Sequence, residues 1–170
     1  NGKMIKNHAH VIKNKSLRIT GLDINTSYIQ HCRSLIDEFD IGSHIQVYCC
    51  PVEQFTPETH TAFDFILFSM SFMLLENQHA VLKRVKQWLK PGGRIIFFQT
   101  MFRRHNRVLE FLKPRLKYFT TVDFGAVTYE QEFFEQLAAS SLAVEKDMLL
   151  QKNRFQGEYR IIVTSRKAPA

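Results

Sequence analysis

The stretch Leu17-Arg-Ile-Thr-Gly-Leu-Asp-Ile-Asn25 limits the fold more than any other part of the chain. An apolar, β-branched run of this length reads as a buried strand, and it passes without a break into a helix signal. The chain is therefore committed early to a strand followed by a helix. Asp23 stands at the carboxyl tip of that strand. In open parallel sheets ligands sit beyond the carboxyl ends of the strands, where a carboxylate can accept both hydroxyl protons of a ribose. Gly21, just before the tip, lets another backbone or a ligand approach closely. A second reading is open on the same residues: Asp23, Asn25 and Thr26 are helix-capping types and could simply start the next helix.

The rest of the chain repeats the alternation. Met4 to Lys15 has helical spacing, with Asn1-Gly2 ahead of it. If those two residues end a glycine-rich turn, the helix presents free N–H groups to a polar or anionic ligand, and the plain alternative is a frayed end. Ser27 to Phe39 is a helix with Gly42 placed to stop it, and Ile45 to Cys49 is a strand closed by Pro51. Thr56-Pro57-Glu58 reads as loop. Phe63 to Ser69 is the most apolar strand and is expected at the centre of the sheet, covered on both faces, with Ser69 to Leu75 beside Asp23. Val81, Leu82, Val85, Trp88 and Leu89 form a helical stripe that ends at Pro91-Gly92-Gly93, before a strand over Arg94 to Thr100. Residues 101–125 break the pattern as a basic amphipathic insertion over the strand tips. A helix over Glu130 to Ser140, capped by Thr128, precedes an antiparallel strand pair, Leu142 to Gln151 and Glu158 to Arg166.

Length and composition narrow the class. A chain of 170 residues, 45% hydrophobic and with fifteen Phe, is expected to form one domain over residues 1–170 with a single core. No apolar run approaches the ~20 residues that span a bilayer, and the lysine-bearing start lacks the apolar stretch of a signal peptide. With three cysteines, too few and too odd for a disulfide framework, the expectation is a soluble cytoplasmic protein. Metal-ligand spacing is not visible: His8 and His10, two apart on a helix, do not share a face. The net charge of +7 is spread over Lys3 to Lys15, Lys83 to Lys90 and Arg103 to Lys117, interleaved with apolar residues. Such groups read as solvated helix faces, and they keep nucleic acid among the partners to be tested.

Strands alternating with helices argue an α/β sheet, and the terminal hairpin then directs the reading. From Asn1-Gly2-Lys3 through Gly21-Leu-Asp-Ile-Asn25, Phe63-Asp-Phe-Ile66 and Leu89-Lys-Pro-Gly-Gly-Arg-Ile95 to the closing strand pair, the chain resembles class I S-adenosylmethionine-dependent methyltransferases. The resemblance implies a Rossmann-like, mostly parallel sheet with helices on both faces and a C-terminal antiparallel strand pair. It implies S-adenosylmethionine as cofactor and methyl transfer as the activity. By position, Gly2 matches the last glycine of the family's glycine-rich loop, and Asp23 the acid that holds the ribose hydroxyls. Ile24 would pack on the adenine, Val52 and Glu53 would meet its edge, and Ser69 and Met70 would lie near the methionine part.

Two departures accompany the likeness. The family's first strand, between those ending in Asp23 and Ser69, has no counterpart here, so an upstream strand running into Asn1-Gly2 is expected. The alternatives are that another chain or a rearranged strand fills the gap, or that the two flanking strands pair directly. Pro51 also stands where the family often has Asp, leaving Glu53 as a substitute adenine contact. No catalytic residue is assigned, because transfer from an activated sulfonium depends chiefly on alignment. His105, Tyr129 and Glu130 are candidates for a base, and Phe102, Arg103, Arg104 and His105 would suit an anionic or aromatic acceptor. Asp123-Phe-Gly125 matches a kinase tripeptide without the loops that should accompany it. A small-molecule acceptor is favoured, beside an RNA or protein methyltransferase and a non-catalytic scaffold of the same fold.

Overall fold

The structure, a computed structural model, describes residues 3–58, 63–103, 127–153 and 157–167. Expectations for Gly2, Arg104, His105 and the bulk of the 101–125 insertion lie outside those residues. The chain divides into two compact units, Asn1–Thr56 and Pro57–Ala170.

In the first unit, helix α1 (Lys3–Asn14) is followed by strand β1 (Ile19–Asp23), helix α2 (Thr26–Glu38) and strand β2 (Ile45–Cys49). The two strands run parallel, with Ile19 opposite Ile45 and Asp23 opposite Cys49. Apolar residues at helical spacing explain the packing: Ile5, Ala9 and Ile12 of α1 meet Leu35 and Ile36 of α2 around Ile41 and Ile45. Gly42 does not stop α2. Asp40 takes the left-handed backbone conformation instead, with φ 49°, and Ile41 N–H donates to the Ile36 carbonyl at 3.0 Å. That reverse bond, with Ile41 buried against Ile36, is the usual helix-ending geometry, and a short polar side chain such as Asp tolerates it.

The second unit contains strand β3 (Phe63–Ser69), a 3₁₀ turn (Phe72–Leu74), helix α3 (Gln78–Trp88), strand β4 (Leu89–Met101), helix α4 (Glu130–Ala139) and strands β5 (Leu142–Lys152) and β6 (Glu158–Arg166). The sheet order is β3-β4-β6-β5, with β3 parallel to β4 and the other two ladders antiparallel. The fold is thus mixed α/β, and this sheet is mixed rather than mostly parallel. The cause lies in the chain connections, because the short link from Lys152 to Glu158 can join only antiparallel neighbours. Pro91-Gly92-Gly93 does not separate a helix from a new strand. It forms an irregularity inside β4, across which Leu89 opposes Phe63 and Arg94 opposes Phe65. Gly92 has φ +75°, and a Cβ on Gly93 would lie 3.0–3.2 Å from three backbone oxygens, so this site needs two glycines.

One face of that sheet holds the core. Phe97 of β4 stacks on Phe68 of β3 at 5.5 Å and takes Phe72 and Phe133 edge-on at 5.0 and 5.2 Å. Val81, Leu82 and Val85 of α3, Leu137 of α4 and Ile162 of β6 are buried as well. The other face is less covered: Phe65 and Leu67 are 59% and 54% exposed. β3 is therefore not the doubly covered central strand expected from its sequence. Among the described residues it pairs only with β4, as β1 pairs only with β2, and the strands ending in Asp23 and Ser69 do not pair with each other.

Because Phe97 touches three other rings, Phe97→Ala should cost ~3–5 kcal/mol of stability, the range for emptying a large aromatic site. Urea unfolding followed by circular dichroism gives the value. A loss under about 1 kcal/mol would mean that the cluster is not the core.

Candidate functional site

At the end of β1 the Asp23 carboxylate accepts a hydrogen bond from the Asn25 backbone N–H at 2.8 Å. Asn25 in turn caps α2, its side chain accepting from Tyr28 N–H at 3.1 Å. The helix-start reading of this stretch is thus met by Asn25. One Asp23 oxygen fixes the turn, and the other has no partner among the described residues. Ile24, next in line, is 74% exposed, an unusual position for an isoleucine beside a polar tip. The strand is half-buried along its whole length rather than buried.

Parallel pairing brings the β2 end to the same side. The Cys49 thiol lies 3.5 Å from the Thr26 hydroxyl and 3.8 Å from the Ile24 carbonyl oxygen, linking the two strand ends. The chain then turns over Pro51, whose carbonyl accepts from Gln54 N–H at 3.0 Å. Val52 and Glu53 sit in that turn, so Asp23, Ile24, Val52 and Glu53 share one end of the first unit. Glu53 is exposed and Val52 half-buried. A cavity of about 440 Å³ in this unit is lined by Arg33, Ile36, Asp37 and residues 45–48. It flanks α2 and β2 and does not include that end.

In the second unit, Ser69 ends β3 and Met70 follows with φ 55°, a left-handed conformation that is rare for a side chain of this size. Its N–H donates to the Phe98 carbonyl at 2.7 Å, which holds the strained residue against β4. Strain of this kind is often kept at ligand sites.

Beyond the ends of β3 and β4 lies a recess of about 430 Å³, lined by Gln78, Val127, Thr128, Tyr129, Glu132, Phe133 and Gln136. Gln78 opens α3, with its amide donating to the Phe72 carbonyl at 3.0 Å. Phe102 is bridged to Tyr129, and its backbone exchanges hydrogen bonds with Thr128 and Glu130. Tyr129, not Thr128, is the capping residue of α4, with no side-chain bond to the helix. The Phe102 bridge uses the backbone of 128–130 and so fixes where the helix starts.

Two of the base candidates, Tyr129 and Glu130, are among the described residues. Tyr129 is buried. Glu130 is engaged by Arg160 at 2.6 Å and approached by Arg103 at 3.4 Å, so both its oxygens are occupied by cations. Arg103 also lies 3.3 Å from Glu158. Its guanidinium thus faces two carboxylates. Arg160, nearly buried between Glu130 and Asp147, is the centre of this network. Burial alone would lower its pKa, but the hydrogen bonds it donates to Asp147 and Glu130 outweigh that and raise it.

Sequence reasoning missed Gln99. Its side chain on β4 is fully buried, with neither amide nitrogen nor oxygen hydrogen-bonded. The position is bracketed by Phe97, which packs on Phe133, and by Phe102, which is bridged to Tyr129. A polar residue among Phe97, Phe98 and Met101 was the available signal.

Strands alternating with helices and closed by an antiparallel pair define a mixed α/β fold. Residues 2–97 match the family described as methyltransferase domain, and the chain belongs to that family. Solved structures with the same fold include geranyl diphosphate C-methyltransferase from Streptomyces coelicolor A3(2), in complex with Mg2+, geranyl diphosphate and S-adenosyl-L-homocysteine. That structure is 13% identical with a TM-score of 0.76, over 95% of this chain and 67% of that one. The [4+2]-cyclase SpnF is 12% identical with a TM-score of 0.74, over 95% and 70%. The mitomycin 7-O-methyltransferase MmcR is 19% identical with a TM-score of 0.69, over 95% and 46%. No curated protein matches the sequence. Among the described residues no helix is long and apolar enough to cross a membrane, and no cluster of metal-binding side chains occurs.

The Gln99 geometry makes a stability prediction. Gln99→Met keeps the volume and removes two unpaired polar groups, each costing about 1–3 kcal/mol when buried. The variant should be more stable than the parent by at least about 1 kcal/mol, read from the urea midpoint at unchanged m-value. A destabilised Gln99→Met would show that the amide is paired in solution.

Proposed function

We propose that this domain transfers a methyl group from S-adenosylmethionine to a small-molecule acceptor in the cytoplasm, and that residues 1–170 work as one Rossmann-like methyltransferase domain. The observation that carries the reading is the β1 tip, within the stretch matched by the methyltransferase family: a carboxylate with one oxygen unpartnered, an exposed isoleucine next to it and a helix start behind it. When bound, S-adenosylmethionine supplies a methyl group already activated on a sulfonium.

The chain's residues then have binding and alignment to perform. Asp23 accepts the ribose hydroxyl protons through its unpartnered oxygen while the other oxygen keeps the turn. Ile24 offers an apolar surface to the adenine, and Val52 and Glu53 meet its edge, with Glu53 serving as acceptor where Pro51 offers no side-chain acceptor. Gly2, Ser69 and Met70 are assigned to the methionine end. Met70, held in its left-handed conformation by Phe98, would present its backbone rather than adjust to the ligand. We assign no general base: Glu130 is committed to arginines, and a sulfonium leaving group needs none for an acceptor that is already nucleophilic.

The fold by itself does not dictate methyl transfer, since SpnF, a [4+2]-cyclase, shares it. The test is therefore direct. Asp23→Ala, with circular dichroism unchanged, should weaken S-adenosylhomocysteine binding by ~1.5–3 kcal/mol, the contribution of hydrogen bonds to a charged group. Isothermal titration calorimetry measures it. Equal affinity of parent and variant would remove Asp23 from the site, and no binding by the parent chain would remove the cofactor.

A further inference from the structure

The outer side of β2 is an open half of a ladder. The Ile19 N–H donates to the His44 carbonyl at 2.8 Å, and Ile19 stands opposite Ile45. In a parallel pair alternate residues bond to the neighbour, so His44, Gln46 and Tyr48 turn their backbone groups toward β1, and Ile45, Val47 and Cys49 turn theirs outward. The Ile45 N–H is taken by the Ile41 carbonyl at 3.1 Å. The outward groups of Val47 and Cys49 meet no strand among the described residues. Edges of this kind are commonly blunted by charge, proline or bulges. β5, an outer strand of the second unit's sheet, carries Glu145, Lys146, Asp147 and Lys152 and two register shifts. β2, Ile45-Gln-Val-Tyr-Cys49, carries no charge and no proline, and its register is unbroken.

We propose that this edge pairs with the same edge of a second copy of the chain, β2 antiparallel to β2 about a two-fold axis at Val47. The strand is self-complementary in that register. Val47 exchanges N–H and carbonyl bonds with the partner subunit's Val47, and the Cys49 N–H meets the carbonyl of the partner subunit's Ile45. The one outward N–H already taken, that of Ile45, is not needed. Gln46 comes opposite the partner subunit's Tyr48, and these two side-chain types already bond within the strand, Tyr48 hydroxyl to Gln46 Oε1 at 3.1 Å. Helix α2 extends the match, because a cavity of about 440 Å³ beside the edge is lined by Arg33, Ile36 and Asp37 together with residues 45–48. The axis that reverses β2 also reverses α2, so Arg33 comes opposite the partner subunit's Asp37. Both side chains are exposed, and neither forms an ion pair with another described residue. Buried Ile36 and Ile45 give the groove between them an apolar floor. A contact that uses the same patch on both copies closes at a dimer. Assembly through this edge is independent of the methyltransferase reading.

Sedimentation velocity of the full chain from about 1 to about 300 µM, the range in which a small interface associates, reads the assembly. The parent should pass from monomer to dimer across that range. Arg33→Asp and Asp37→Arg, each at an exposed helix position, should weaken the dimer about tenfold, because each sets like charges face to face twice across the axis. An equimolar mixture of the two variants should associate within about threefold of the parent, since every facing pair is then opposite in sign. Amide exchange should slow at Val47 and Cys49 as the dimer forms and stay unchanged at Gln46 and Tyr48, already bonded to β1. A chain that stays monomeric to the top of the range would overturn the proposal. So would association that ignores both reversals, or a mixture no tighter than either variant alone, because these put the contact on another surface, such as the edge of β3.

Discussion

The packing of Phe97 is the contact on which the carboxyl end of the second unit's sheet depends. Its ring stacks on Phe68 within the sheet and meets Phe72 and Phe133 from outside it. Phe72 lies in the 3₁₀ turn after β3, and Phe133 in the first turns of α4. One side chain thus ties down two segments that leave the sheet in different directions. Edge-to-face contacts add directional preference to burial, so these rings fix orientation as well as position. The recess walls inherit their order from a ring that does not line the recess.

The charges at the same end follow a different logic. Arg160 and Glu158 are nearly buried, and removing such groups from water costs several kcal/mol per ion before any attraction is counted. The network offsets this by surrounding Arg160 with Glu130 and Asp147, and Glu158 with Arg103 and Lys152. Pairs of this kind give little net stability, but losing one partner leaves its mate uncompensated. Their structural effect is to join α4, β5, β6 and the end of β4 in a single arrangement. Among the described residues, Arg103 and Arg160 are in this way tied into the structure.

How far the sequence could be read follows from which forces were local. The strands over residues 19–23, 45–49 and 63–69 and the three later helical stripes were legible, because β-branched runs and helical spacing are carried by neighbouring residues. The antiparallel closing pair was legible for the same reason. The stop of α2 at Asp40 was not, since the left-handed residue was chosen by the burial of Ile41 and not by the presence of Gly42. Thr128 failed as a cap because a bridge to Phe102, far away in sequence, claimed its backbone. The partners of Arg103, Glu130 and Glu158, were not legible, because they come from other elements. At the tip of β1 the helix start behind Asp23 was legible, because Asn25 is a capping residue type. Gln99 was not, because only the packed sheet reveals that its amide has no partner.

The partly bare face of β3 has a consequence for handling the protein. Phe63-Asp-Phe-Ile-Leu-Phe-Ser69 holds five large apolar residues, a single charge and no proline, and it lies at an edge of the described sheet. A stretch of that composition with a free ladder edge is a template for strand addition by other chains. Its guards are few: Asp64, held by Lys90 at 2.8 Å, supplies the one carboxylate on the strand. Strand addition of that kind is bimolecular, so it would rise with concentration.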